Sequence, residues 1–147
     1  MLDKVRSKNI IKEIFGNMRN KRKLNIIKYN KRILIRLNIN KEQFENYIIL
    51  EEFNKKYNTN IEDIDIKQLN LRYKYIGNEG IKILFKIEFK ELKELNLSHN
   101  EISDINIFEK VNFKELNKLD LSGNNFSKNE NNLIINNLKF KIKNLYV

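Results

Sequence analysis

Leu92-Lys93-Glu94-Leu95-Asn96-Leu97-Ser98-His99-Asn100 returns two dozen positions later as Leu116-Asn117-Lys118-Leu119-Asp120-Leu121-Ser122-Gly123-Asn124. The preceding Phe89-Lys90-Glu91 returns with it as Phe113-Lys114-Glu115. Both units therefore read FKELxxLxLSxN, followed two positions on by Ile102 or Phe126. Ile66-Lys67-Gln68-Leu69-Asn70-Leu71 fits the same frame one slightly longer step before Leu92. Ile142-Lys143-Asn144-Leu145-Tyr146-Val147 fits it at that same longer step after Leu116. The spacing predicts four strands, near 66–72, 92–98, 116–122 and 142–147. Alternating apolar residues share one face of a strand. One such unit cannot bury that face alone, so neighbouring copies must stack over a common core.

The cassette LxxLxLxxNxI resembles the leucine-rich repeat, over roughly residues 61–147. The resemblance implies an α/β solenoid with parallel strands on the concave face and short helices on the convex face. Asn100 and Asn124, at the cassette ends, are expected to form a structural ladder, each amide bonding the adjacent turn. Ile81, Leu84 and Phe85, then Ile105, Phe108 and Val111, then Leu133, Ile134 and Leu138 supply the apolar return limbs at 3–4 spacing. The first unit departs from the frame, with Lys74 at the ladder position and Arg72-Tyr73 in place of small residues. Ile76-Gly77-Asn78-Glu79-Gly80-Ile81 resembles the helix opening of the ribonuclease-inhibitor type, whereas Asn100 to Ile105 resembles the shorter types. The last strand, ending at Val147, is expected to leave one sheet edge open or covered by a partner.

Charge divides the chain. Of a net +10, residues 1–50 hold 13 Lys and Arg against 4 Asp and Glu, while residues 51–147 hold 16 against 15. The expected organisation is a basic helical region, 1–57, acting as an N-terminal α-helical cap, followed by repeats over 58–147. Ile10, Ile11, Ile14, Phe15 and Met18 fall at helical spacing after Ser7. Leu24, Ile27 and Leu34 continue a second helical face. Asn40 opens a third helix with Phe44, Tyr47, Ile48 and Phe53 apolar. Residues 7–36 also resemble an F-box, whose core is Ile-x-x-Ile-Phe-x-x-Leu. Its Leu-Pro opening and its later Cys and Trp are missing here. That resemblance implies docking to the adaptor of a cullin-type ubiquitin ligase through Ile10, Ile14, Phe15 and Met18.

Composition narrows the chemistry. The chain has no Cys and one His, which removes thiolate metal sites, disulfides and cysteine nucleophiles. No nucleophile–base pair, phosphate loop or paired carboxylates in a cleft is visible, so no catalytic residue, cofactor or metal is expected. Glu62, Asp63 and Asp65 read as a charged lead-in to the first strand, and His99 as a surface turn residue. Apolar runs are short throughout, so no membrane span is expected, and no secretory signal is visible. An intracellular, cytoplasmic location is the expectation. Asn, Ile and Lys together make up nearly half of the chain. All three have A- and T-rich codons, so the Lys count alone does not argue for an anionic partner.

The favoured function is a non-enzymatic protein–protein interaction module. Its expected contacts are Gln68, Asn70, Arg72, Tyr73, Glu94, Asn96, Ser98, Lys118, Asp120, Ser122, Asn144 and Tyr146 on the concave face, alone or with the N-terminal helices. Arg72, Tyr73 and Tyr146 are the types most often found as binding anchors. The alternatives are the F-box-like substrate adaptor and, less favoured, nucleic-acid or other polyanion binding through Arg19, Lys21, Arg22, Lys28, Arg32 and Arg36.

Overall fold

Asn40 starts the helix that follows it by a reciprocal cap. Its Oδ1 accepts the Gln43 N–H at 2.8 Å, and Gln43 Oε1 accepts the Asn40 N–H at 3.2 Å. Two orphan donors of the first turn are thereby satisfied. The computed structural model describes residues 26, 32, 33, 35, 40–110, 113–127 and 131–147. Helix α1 spans Lys41–Tyr57, with Glu42 in its first turn and Lys55 and Lys56 in its last, both favourable to the helix dipole. It stops at Asn58, whose left-handed φ of 47° returns its N–H to the Asn54 carbonyl.

Strand and return limb then alternate. The order is β1 Gln68–Asn70, α2 Gly77–Leu84, β2 Glu94–Asn96, a 3-10 helix Ile105–Lys110, β3 Lys118–Asp120, α3 Asn131–Lys141 and β4 Asn144–Tyr146. The strands form one parallel sheet in chain order. Leu69 pairs with Leu95, Leu95 with Leu119, and Leu119 with Leu145. The register thus advances by the sequence spacing of the cassettes, so each leucine lies beside its own counterpart. Regular pairing is shorter than the sequence spans, three residues per strand, because the chain turns once the last leucine of each cassette has entered the core.

Leu69, Leu71, Leu95, Leu97, Leu119 and Leu121 are all buried, with Leu92 and Leu116 behind them. Ile81 and Leu84 from α2, Ile105 and Phe108 from the 3-10 helix, and Leu138 from α3 close the core from the return limbs. At about 1.5–3 kcal/mol for each fully buried aliphatic or Phe side chain, this shared interior is the main stabilising term. Val111 lies outside the described residues. A set of Phe rings crosses the unit boundaries edge to face: Phe85 on Phe108 and Phe113 at 5.4 and 5.5 Å, Phe89 on Phe113 at 5.8 Å.

Helix α1 packs on α2 through Asn46, Leu50, Phe53 and Tyr57, one stripe of the helix. Gly80 permits that approach, since a Cβ there would collide with Ile76 Cγ2 and lie 2.8 Å from Tyr57 Cζ. Asparagines fasten the join. Asn46 Oδ1 accepts the Glu88 N–H at 3.1 Å. Asn54 Oδ1 accepts from the Thr59 hydroxyl at 2.6 Å and the Ile61 N–H at 2.9 Å. Ile10, Ile11, Ile14, Phe15, Met18, Leu24, Ile27 and Leu34 lie outside the described residues.

Candidate binding face

Because the leucines of each strand turn inward, the alternate residues of all four strands share the opposite face. The parallel register arranges them in rows. Gln68, Glu94, Lys118 and Asn144 form the first, and Asn70, Asn96, Asp120 and Tyr146 the second. All of them except Asn144 line an open hollow over the sheet. In the first row Glu94 sits between two partners: Gln68 Nε2 donates to its Oε1 at 3.0 Å, and Lys118 Nζ donates to its Oε2 at 3.2 Å. All three are at least partly exposed, so the pairing orders the surface more than it stabilises the fold.

The second row is turned along its own chain. Asn70, Asn96 and Asp120 each accept, through Oδ1, the N–H two positions on, from Arg72, Ser98 and Ser122 at 2.9–3.0 Å. These local turns end the strands. They also correct the expectation for Ser98. Its hydroxyl donates to Asn96 Oδ1 at 2.7 Å and the residue is 2 % exposed, so it offers no surface to a partner. Ser122 makes the same bond to Asp120 at 2.6 Å and stays half-buried. Tyr146 is 51 % exposed and is the large apolar residue on the sheet rows.

Beyond the strands the turns repeat as well. Asn100 Oδ1 accepts the N–H groups of Lys74 and Ile76 at 3.0 and 3.3 Å, and its Nδ2 donates to the carbonyls of Leu71 and Ser98. Asn124 does the same one unit on, accepting from Asn100 and Ile102 at 3.0 Å and donating to Leu97 and Leu121. Each amide satisfies four backbone groups that the turn would otherwise leave unpaired. Lys74 takes the equivalent place in the first unit, and its Nζ reaches the Asn58 carbonyl at the end of α1, at 3.3 Å.

Residues 90–135 match the family model described as Leucine Rich repeats (2 copies). This stretch is leucine-rich repeat. The match covers β2, the 3-10 helix and β3 and reaches into α3, and leucine-rich repeats generally mediate protein–protein interaction. No curated protein and no solved structure matches the chain.

The turns between repeats carry a row that the sequence reading did not assemble. Tyr73, His99 and Gly123 occupy one repeat position, all with left-handed φ, at 57°, 55° and 66°. The Tyr73 and His99 rings stack at 4.5 Å and 18°. Arg72 folds over Tyr73, with its Cζ 4.7 Å from the ring centroid and its Nη2 donating to the Tyr73 hydroxyl at 3.2 Å. Arg72 and Tyr73 therefore stand on the rim, past the end of β1, and not on the sheet rows. Tyr75, two positions on, is 70 % exposed. The step from Tyr73 to His99 equals that from Leu69 to Leu95, a spacing that sets the two residues at equivalent places in adjacent repeats.

Of the polyanion candidates, Arg32 is among the described residues, helical and exposed. Arg19, Lys21, Arg22, Lys28 and Arg36 lie outside them, as do the F-box-like positions Ile10, Ile14, Phe15 and Met18. Among the described residues no three His, Asp or Glu side chains are grouped to hold a metal ion. No helix among them is long and apolar enough to cross a membrane.

Proposed function

We propose that the chain is a non-enzymatic protein-interaction module, a short solenoid capped at its N-terminal end by α1, that binds a protein partner over its sheet. The observation that carries this reading is the register. It gathers polar side chains from four separated segments onto one open surface while committing their apolar neighbours to the core. The charge there is mixed, with Glu94 and Asp120 beside Lys118, which suits a folded partner better than a uniform polyanion.

Capture from the source cell tests it. Wild-type bait is compared with an Asn144→Arg/Tyr146→Ala bait, altered on the sheet face, and a Lys86→Glu bait altered away from it. The reading requires at least one protein retained by the wild type and by Lys86→Glu and lost from the sheet variant. Identical sets from all three baits would remove the sheet as the binding face. Recovery of cullin components by all three would instead favour the F-box-like adaptor carried by residues 7–36. Loss of captured material at raised salt, independent of the sheet, would favour the polyanion alternative.

A further inference from the structure

The sheet face is small. Three strand gaps of ~4.8 Å make it roughly 14 Å across, less than a standard interface of about 800 Å² per partner needs. The neighbouring rim offers a second surface. Tyr73 and Tyr75 both adopt left-handed φ, 57° and 54°, a conformation that costs about 1–2 kcal/mol in a residue with a Cβ. Asn and Gly suit it far better, and the chain is rich in Asn. The left-handed turn belongs to the repeat, since His99 and Glu101 share it at 55° and 59°. At Tyr73 the stack on His99 offsets the cost, but Tyr75 is 70 % exposed and gains little burial in return. What sets this turn apart from its counterpart is the exposed aromatic pair in place of His99 and Glu101.

The same turn carries two cations without a carboxylate. Arg72 commits one guanidinium nitrogen to the Tyr73 hydroxyl and forms no ion pair among the described residues, and the Lys74 ammonium meets only the Asn58 carbonyl. The guanidinium is also pre-oriented, because it lies on Tyr73, which lies on His99, which fills the space above Gly123. An ordered planar fork with free donors suits a carboxylate.

We propose that the Arg72–Tyr75 turn is a recognition site for an acidic segment of a protein partner, its carboxylate taken by Arg72 and its flanking chain packed on Tyr75. His99 and Gly123 are positioning residues that fix the angle of Tyr73 and hence of Arg72. The proposal deepens the interaction reading above and rests on it, while using a different surface from the sheet rows.

The test is a titration of the 15N-labelled full chain with a Glu-rich decapeptide, its Gln counterpart and poly(U), at about 0.15 M salt, where exposed charges act over only ~8 Å. The Glu peptide is expected to shift the Arg72 Nε–H and Tyr75 signals while the Gln peptide does not. Arg72→Ala should weaken binding about tenfold, and Arg72→Lys nearly as much, since Lys lacks the fork. Both substitutions are at an exposed position, and unchanged dispersion elsewhere in the spectrum verifies their fold. Shifts confined to the basic N-terminal third, affinity unaffected by Arg72→Ala, or a response of Arg72 to poly(U) alone would each overturn the proposal. Sheet-dependent capture would still stand in those cases, so its failure is read separately.

Discussion

The His99 ring lies directly over Gly123, so close that a Cβ on Gly123 would collide with Cε1 and Nδ1 of the imidazole. Two adjacent repeats are thus fitted by a large residue in one and the absence of a side chain at the same position in the next. The left-handed φ of 66° at Gly123 adds a second reason for glycine there.

Gly123→Ala is therefore expected to destabilise the protein by about 1–3 kcal/mol. In a His99→Ala background the steric part disappears and only the φ cost remains. Denaturant unfolding of the four-member cycle should show a coupling of at least about 0.5 kcal/mol. Additive losses would mean that the ring does not sit where the structure places it.

The ladder predicts an order of effects. Asn100 is fully buried, so Asn100→Ala strands two N–H groups and two carbonyls away from water, at about 2–4 kcal/mol. Asn124 also bonds two N–H groups and two carbonyls but is half-buried, and water can replace part of what is lost. Asn124→Ala should cost less, and equal midpoint shifts for the two variants would contradict the burial difference.

Tyr75 offers a gain. Its ring is mostly in solvent and its backbone is left-handed, so Tyr75→Gly should raise stability by about 0.5–1 kcal/mol. The same change at Tyr73 should bring no such gain, because it also removes the stack with His99. Thermal melts of the two variants decide the point.

Alkaline stability reports on the join between α1 and the first repeat. Burial, then the charges of Asp63 and Asp65, push the Tyr47 hydroxyl up to about 12. An unfolded tyrosine ionises near pH 10, so above that pH the unfolded chain loses a proton that the folded one keeps. Stability should fall as pH rises from about 10 towards 12. Tyr47→Phe should flatten this decline relative to wild type, with the lysines common to both.

The repeat was legible because its physics is local and periodic. Leu69, Leu95, Leu119 and Leu145 lie at the cassette spacing, and burial demands that they meet. The helix from Asn40 was legible from its cap and apolar spacing. What escaped was contact without period. Asn46, Asn54 and Asn78 bridge separate segments, Asn78 through the Ser103 and Asp104 N–H groups at 3.0 and 3.1 Å, yet nothing local sets them apart from the other asparagines of an Asn-rich chain. Ser98 read as a surface residue because alternation alone exposes it, whereas the turn made by Asn96 folds it inward. His99 read as an isolated turn residue because its partner, Tyr73, stands in the least regular unit.

Equivalent leucine cassettes pair side by side as parallel strands. Scalar couplings transmitted through hydrogen bonds test it most directly. Couplings are expected from the Leu71 N–H to the Asn96 carbonyl, from Leu97 to Asp120 and from Leu121 to Tyr146, across distances of 2.9, 2.8 and 2.7 Å. A well-folded chain that lacks these couplings, or pairs the same leucines in another register, would contradict it.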